Sequence, residues 1–422
     1  MAEMWTGERR IAFVPVSNEQ VDQTLPPNFR DQVYQRVYAD PDPVTGEDRS
    51  LQSYVHHMSS GRAYITGDVF PPVVAPDADV ISVGLNSLPS IEFPWPVGRL
   101  PVHGYDYAVL VLPHSFGPHR NGYAWWDNPK INGVAHRARV ALYTTPTFQS
   151  RQGVGVWAME SLHMLTKLGD LYFVTPQMGR YDVMACACGT HPSANTKSLF
   201  GWLRSGAIQE HPLGQTQSYS LHAVSLPQPA PPGRRTAIRV KSQTTAGYFM
   251  IECRLRTDPY ERQGSISSGI PAEGILVYEV QSDTMVFLRS AGLAVGQSFQ
   301  IEGETLEIKV TESIPGGFVI TVTSFAAARC RELQEKIKAL QASLEVEDDL
   351  VRRKALISAL AGALKEHREL NCDRIPGIWD ESVHGRLLGD RILKHGIAPP
   401  PPDDRTDDNA DDEEHTNCSC CS

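Results

Sequence analysis

The sequence predicts a mixed α/β (α+β) body, followed by a small antiparallel β domain, a helical hairpin and a tail that does not order itself. Three observations predict it. Apolar runs of strand length mix with helical stripes across the first two hundred residues, a proline-rich stretch at 227–233 is followed by closely spaced strand-like runs, and two leucine stripes at helical spacing come after 325. With 422 residues and 41% hydrophobic content, the chain can bury two or three cores. The units are expected at 1–226, 234–324, 325–396 and 397–422.

Taken in order, residues 11–16 read as a buried strand, and 48–60 as a helix whose apolar positions Leu51, Tyr54, Val55 and Met58 fall on one face, stopped by Gly61. The runs 80–85, 107–112 and 139–144 are β-rich, 153–168 turns helical, Pro176 and Gly179 punctuate a loop, and 196–203 resumes a helix. Beyond the prolines, strands are expected at 236–240, 247–253, 274–280, 305–310 and 317–322. From 325 to 370 Leu333, Ile337, Leu340 and Leu344 form one helical stripe, and Leu356, Leu360 and Leu364 a second, with acidic residues at 345–349 between them. Such stripes either close on each other or on the body, or seam with a second copy of the chain.

The formal net charge of −10 comes partly from the tail, where residues 403–414 hold eight acidic side chains against one arginine. The body is only mildly acidic, which excludes nucleic acid as an expected partner. No window is apolar enough to span a membrane, and the first ten residues carry no apolar signal core, so the chain as written reads as cytoplasmic. Eight cysteines are too sparse for a disulfide scaffold and fit a reducing compartment. Cys418, Cys420 and Cys421 crowd the last five residues but do not make a prenylation box, since its cysteine position is Ser419.

The chemistry concentrates in Met159-Glu160-Ser161-Leu162-His163. In zinc peptidases a helical HExxH puts two imidazoles one turn apart on one face, with the glutamate between them acting on the metal-bound water. Here Glu160 and His163 fill the base and second-ligand slots, while Met159 offers a thioether where zinc favours imidazole nitrogen. Cys186 and Cys188 form a CxC that could ligate zinc or simply be buried, and His191, His114 and His119 are the histidines that could replace the missing ligand.

Around that helix, Gly169-Asp170-Leu171-Tyr172, the turn Gly179-Arg180-Tyr181-Asp182-Val183-Met184, and Ala194-Asn195-Thr196-Lys197 running on to Gly201-Trp202 follow in order. Earlier, Asp48 to Tyr54, Ser59 to Arg62 and Gly67-Asp68-Val69, and later Gly247 to Arg254 and Pro271 to Tyr278, extend the pattern. Together these resemble the immune inhibitor A family of secreted zinc metallopeptidases over roughly residues 10–280, leaving out the hairpin and the tail. The resemblance implies a zincin-like catalytic domain, a zinc cofactor, Glu160 as the catalytic base, His163 and Asp170 as metal ligands, and Met184 in the methionine turn beneath the metal. Tyr172 and Tyr181 become candidate donors to an oxyanion.

Two departures stand out. Met159 occupies the place of the first histidine ligand; Thr166 stands in the family's glycine slot, and Asp170 comes one residue late. The expected function is therefore either an impaired zinc-dependent endopeptidase acting on proteins or a pseudopeptidase that binds a protein or peptide without cutting it. Self-association through 325–370 is a third expectation.

Overall fold

In the computed structural model, the described residues are 2–18, 27–38, 50–75, 105, 107–112, 122–124, 130–131, 134–135, 139–144, 153–264, 267–301, 304, 306–324 and 326–369. The expected strand at 80–85, His114, His119 and the acidic cysteine-rich tail lie outside them.

The amino-terminal unit is a mixed α/β layer. Strand β1 (Gly7–Asn18) leads through helices α1 (Phe29–Tyr38) and α2 (Leu51–Met58) to β2 (Ala63–Val69), and β3 (Val73–Ala75), β4 (Tyr107–Leu112), β5 (Gly122–Ala124) and β8 (Arg139–Thr144) complete the sheet. The path is β2-β1-β4-β8-β5, with β3 paired to the far end of β1. All pairings are parallel except β5 on β8. The parallel step from β1 to β2 needs a crossover, and α1 and α2 are on it. Ser50 caps α2 by accepting the Ser53 N–H at 3.1 Å, and the chain leaves the helix through Ser60 and Gly61, both at positive φ. A small ribbon of β6 (Lys130–Ile131) and β7 (Val134–Ala135) stands apart.

Helix α3 (Gly153–Thr166) packs on β5 and β8. It is apolar nearly all round, as a helix buried on most sides must be: Trp157, Ala158, Leu162 and Met164 have no exposed surface. Its carboxyl end turns at Lys167, whose positive φ ends the helical path. A short helix α4 (Ala194–Leu199) follows, capped by Ser193.

The remaining strands form two five-stranded sheets, β11-β10-β18-β17-β16 and β15-β14-β13-β12-β9. In chain order they are β9 (Ile208–His211), β10 (Thr216–His222), β11 (Arg234–Arg235), β12 (Ala237–Lys241), β13 (Tyr248–Arg254), β14 (Gly274–Val280), β15 (Val286–Leu293), β16 (Ser298–Ile301), β17 (Leu306–Ile314) and β18 (Gly317–Ser324). Ile238, Val240, Ile251 and Val277 of one sheet share a core with Leu221, Ile308, Val310 and Ile320 of the other. Strands β9 and β10 precede the prolines at 227–233 yet pair with strands beyond them, so that stretch lies inside the β unit rather than at its border. The alternate residues of β13 and β14, Met250, Leu276 and Tyr278, belong to the same core as Trp157 and Met184. These strands are covered on both faces, and β14 accordingly reads as the near-continuous run GILVYEV.

Helices α5 (Ala326–Val346) and α6 (Leu350–Glu369) form the hairpin. Cys330, Leu333 and Ile337 pack with Ala363, flanked by Leu340, Leu360 and Leu364, so the two stripes close on each other. No described helix is long and apolar enough to cross a membrane.

Candidate active site

Helix α3 sets Met159 and His163 four residues apart on one face, with Glu160 between them. Met159 is 5% exposed and belongs to the apolar core with Trp157 and Met184. Glu160 lies against strand β5: a Cβ on Gly122 would come within 2.6 Å of its Cγ, so the glycine lets the edge strand approach the carboxylate. Burial, reinforced by Asp170 and opposed by His163, pushes the Glu160 carboxyl up to about 7.

His163 is held at both nitrogens. Its Nδ1 faces the Leu168 carbonyl, and Nε2 lies 2.9 Å from Asp170 Oδ1. A ring that donates from both nitrogens is an imidazolium. Burial alone would lower its pKa, but the Asp170 charge and hydrogen bond, Glu160 and the Leu168 carbonyl together raise it to about 9. Asp170 reaches the histidine despite arriving one residue late, because Lys167 reverses the chain directly after α3. The next residue is fixed too, Leu171 N–H donating to the Met184 carbonyl at 2.9 Å.

Met184 is fully buried in the same core, and its turn is organised by Asp182. One carboxylate oxygen accepts Met184 N–H at 2.9 Å; the other accepts Ser193 N–H at 2.8 Å and the Thr196 hydroxyl at 2.7 Å. The pattern from Ala194 to Trp202 is structural as well. Lys197 is buried and donates to the Val224 carbonyl at 2.8 Å, while Trp202 Nε1 donates to the Trp5 carbonyl at 2.8 Å.

Several expectations are corrected. The Tyr181 hydroxyl is engaged with the backbone of Ala272, accepting its N–H at 3.1 Å, and is not free to steady an oxyanion. Tyr172 keeps its candidacy as a donor; its ring packs on the exposed ring of Phe173, with centroids 4.6 Å apart. The structure pairs Cys186 with Cys188 as a disulfide. Their loop packs backbone to backbone on α3, where a Cβ on Gly155 would lie 2.3 Å from the Ala187 carbonyl oxygen. His191 does not replace the lost ligand, since its ring lies 2.8 Å from Asp258 and 3.0 Å from Lys197 Nζ.

A catalytic zinc takes three protein ligands, and an imidazole binds it only as a neutral ring. Among the described residues, α3 and its following loop offer two, His163 and Asp170, already ion-paired to each other. The set does not fit a catalytic zinc.

Sequence reasoning missed the polar cluster behind the methionine turn. Arg254, 0% exposed, bonds Glu252 at 3.1 Å and Glu261 at 2.6 Å, and its guanidinium also donates to the Tyr181 and His191 carbonyls. Glu261 in turn accepts His191 N–H at 3.0 Å, and Glu252 accepts Ala194 N–H at 2.7 Å. These residues come from β13 and the segment after it, far along the chain from α3, and no local spacing marks them. No protein-family model matches the chain, and no curated protein matches it.

Proposed function

We propose that the chain is a pseudopeptidase: a metallopeptidase-like scaffold that binds an extended polypeptide beside α3 without cleaving it. The observation that carries this reading is the pairing of a terminal strand, among the described residues, with a metal position that lacks its histidine. Strand β5 is the last strand of its sheet among the described residues and lies against Glu160, where an extended polypeptide would add alongside it as a further strand. Beside it, Met159 supplies no imidazole and His163 is committed to Asp170 and the Leu168 carbonyl. Met184, Asp182 and the buried Lys197 keep the architecture behind the site intact although the metal position is lost.

A hydrolytic reading draws on one observation. A Glu160 carboxyl near 7 is the acid–base group a hydrolase uses at neutral pH. One experiment separates the two: the intact chain is incubated with unstructured casein, and binding and peptide release are followed together. Binding with casein recovered whole is expected. Release of peptides that disappears in Glu160→Gln would establish hydrolysis instead, and absence of any binding would remove the peptide-binding proposal.

A further inference from the structure

Three separated segments converge on a point outside the α3 site. His57 lies in the last turn of α2, His191 in the loop before α4, and Asp258 follows β13. One ligand atom from each lies within 4.8 Å of the others. Asp258 Oδ2 is 2.8 Å from His191 Nε2 and 3.7 Å from His57 Nε2. An ion held at about 2.1 Å by three tetrahedrally disposed ligands separates them by roughly 3.4 Å, a value these distances straddle.

The site is built rather than incidental. The other oxygen of Asp258 accepts the backbone N–H groups of Tyr260 at 2.8 Å and Glu261 at 3.0 Å, which leaves Oδ2 directed at the two imidazoles. Tyr260 packs edge-on or tilted against both rings, at 5.3 Å from His57 and 6.3 Å from His191. His191 is 1% exposed, and its Nε2 is paired with Asp258 Oδ2 at 2.8 Å. A buried imidazole nitrogen and a buried carboxylate oxygen turned toward one point, with a second imidazole nitrogen beside them, are the donor set an ion would draw together. The side chain of His57, 40% exposed, gives that point access to solvent.

We infer that His57 Nε2, His191 Nε2 and Asp258 Oδ2 bind a divalent transition metal of the zinc type, which ties α2 and the loop before α4 to the β unit. Two histidines and one carboxylate suit this class of ion better than calcium or magnesium, which prefer all-oxygen shells. The local charge admits it. Asp258, Glu252 and Glu261 face the cations Lys197 and Arg254, three negative groups against two positive. Lys197 Nζ lies 3.0 Å from His191 Nδ1, on the side of the ring away from Nε2, so it does not occupy the point where the three ligand atoms meet.

The test uses the full chain, stripped with chelator and titrated with zinc alone by calorimetry, with melting temperature followed in parallel and cobalt as the spectroscopic probe. One equivalent of zinc bound with a rise in melting temperature is expected. His57→Ala and Asp258→Asn should each weaken binding at least about 10- to 100-fold. His163→Ala should leave it unchanged, which separates this site from the one on α3. His57→Cys should retain binding and add a thiolate charge-transfer band to the cobalt spectrum, a signature that a merely structural histidine would not produce. Equal zinc affinity in the unmodified chain and His57→Ala, or no zinc bound by the folded chain, would overturn the inference.

Discussion

Replacing Arg254 with leucine should be among the most damaging single changes in the chain. The guanidinium is fully buried; its Nε and one terminal nitrogen engage Glu261 at 3.1 and 2.6 Å, and the other engages Glu252 at 3.1 Å. It also donates to the Tyr181 carbonyl and, at 3.2 Å, to that of His191, so one side chain joins the methionine turn and the loop before α4 to β13. Leucine fills part of the space but leaves two buried carboxylates facing each other. Removing one partner of a buried ion pair costs about 3–5 kcal/mol, mostly through the charge left uncompensated. Burial already raises the Glu252 and Glu261 carboxyls, and Arg254 is the main group opposing it, so the variant should raise both further. Protonated carboxyls are cheaper to bury, and the loss should therefore be larger at pH 8 than at pH 5. Urea unfolding at both values measures this. A loss below about 1 kcal/mol at pH 8, or one independent of pH, would refute the argument.

Three further outcomes follow from the α3 region. Gly155→Ala forces a methyl group into the backbone of the Cys186–Cys188 loop and should destabilise by about 1–3 kcal/mol in denaturant melts, whereas Gly264→Ala, with open space around it, should change little. In the metal-free chain Asp170→Asn removes the principal group raising His163, and proton-detected titration of that imidazole should show its midpoint falling clearly below about 9. Because the folded pKa of His163 lies above its unfolded value, the stabilisation it contributes is complete below pH 6.5 and lost as pH rises through about 9; Asp170→Asn should flatten that limb of the stability profile.

The sequence shows the fold best where one local rule decides the outcome. The run 107–112 coincides with β4, and the helix expected over 153–168 is α3, which stops two residues earlier at Thr166, because continuous apolar stretches bounded by turn residues leave few alternatives. The leucine stripes after 325 likewise mark α5 and α6, while the choice among the partners their spacing allows is made by packing, which closes one stripe on the other. Less visible are β9 and β10, where sequences such as IQEH alternate only weakly and gain strand character by pairing with strands far along the chain. Strands β15 and β16 escape for the same reason, their outward faces being polar and exposed.

The candidate site divides along the same line. Glu160, His163 and Asp170 are local to α3 and the turn after it, and the structure brings Asp170 to His163 even though its spacing departs from the family pattern. His57 and His191 reach Asp258, and Arg254 reaches the Tyr181 and His191 carbonyls, only through the docking of the β unit on the first, which spacing along the chain does not encode. The role of Tyr181 is corrected by the same docking, since Ala272 takes its hydroxyl.

The measurement that bears most directly on the central claim is casein cleavage by the unmodified chain and by Met159→His, each supplied with zinc, with Glu160→Gln as the control. Histidine at 159 would stand four residues before His163 on the same face of α3 and complete a three-ligand set with Asp170. The account predicts no cleavage by the unmodified chain and zinc-dependent cleavage by Met159→His. Cleavage by the unmodified chain that Glu160→Gln abolishes, or continued inertness of Met159→His with the fold retained, would contradict it.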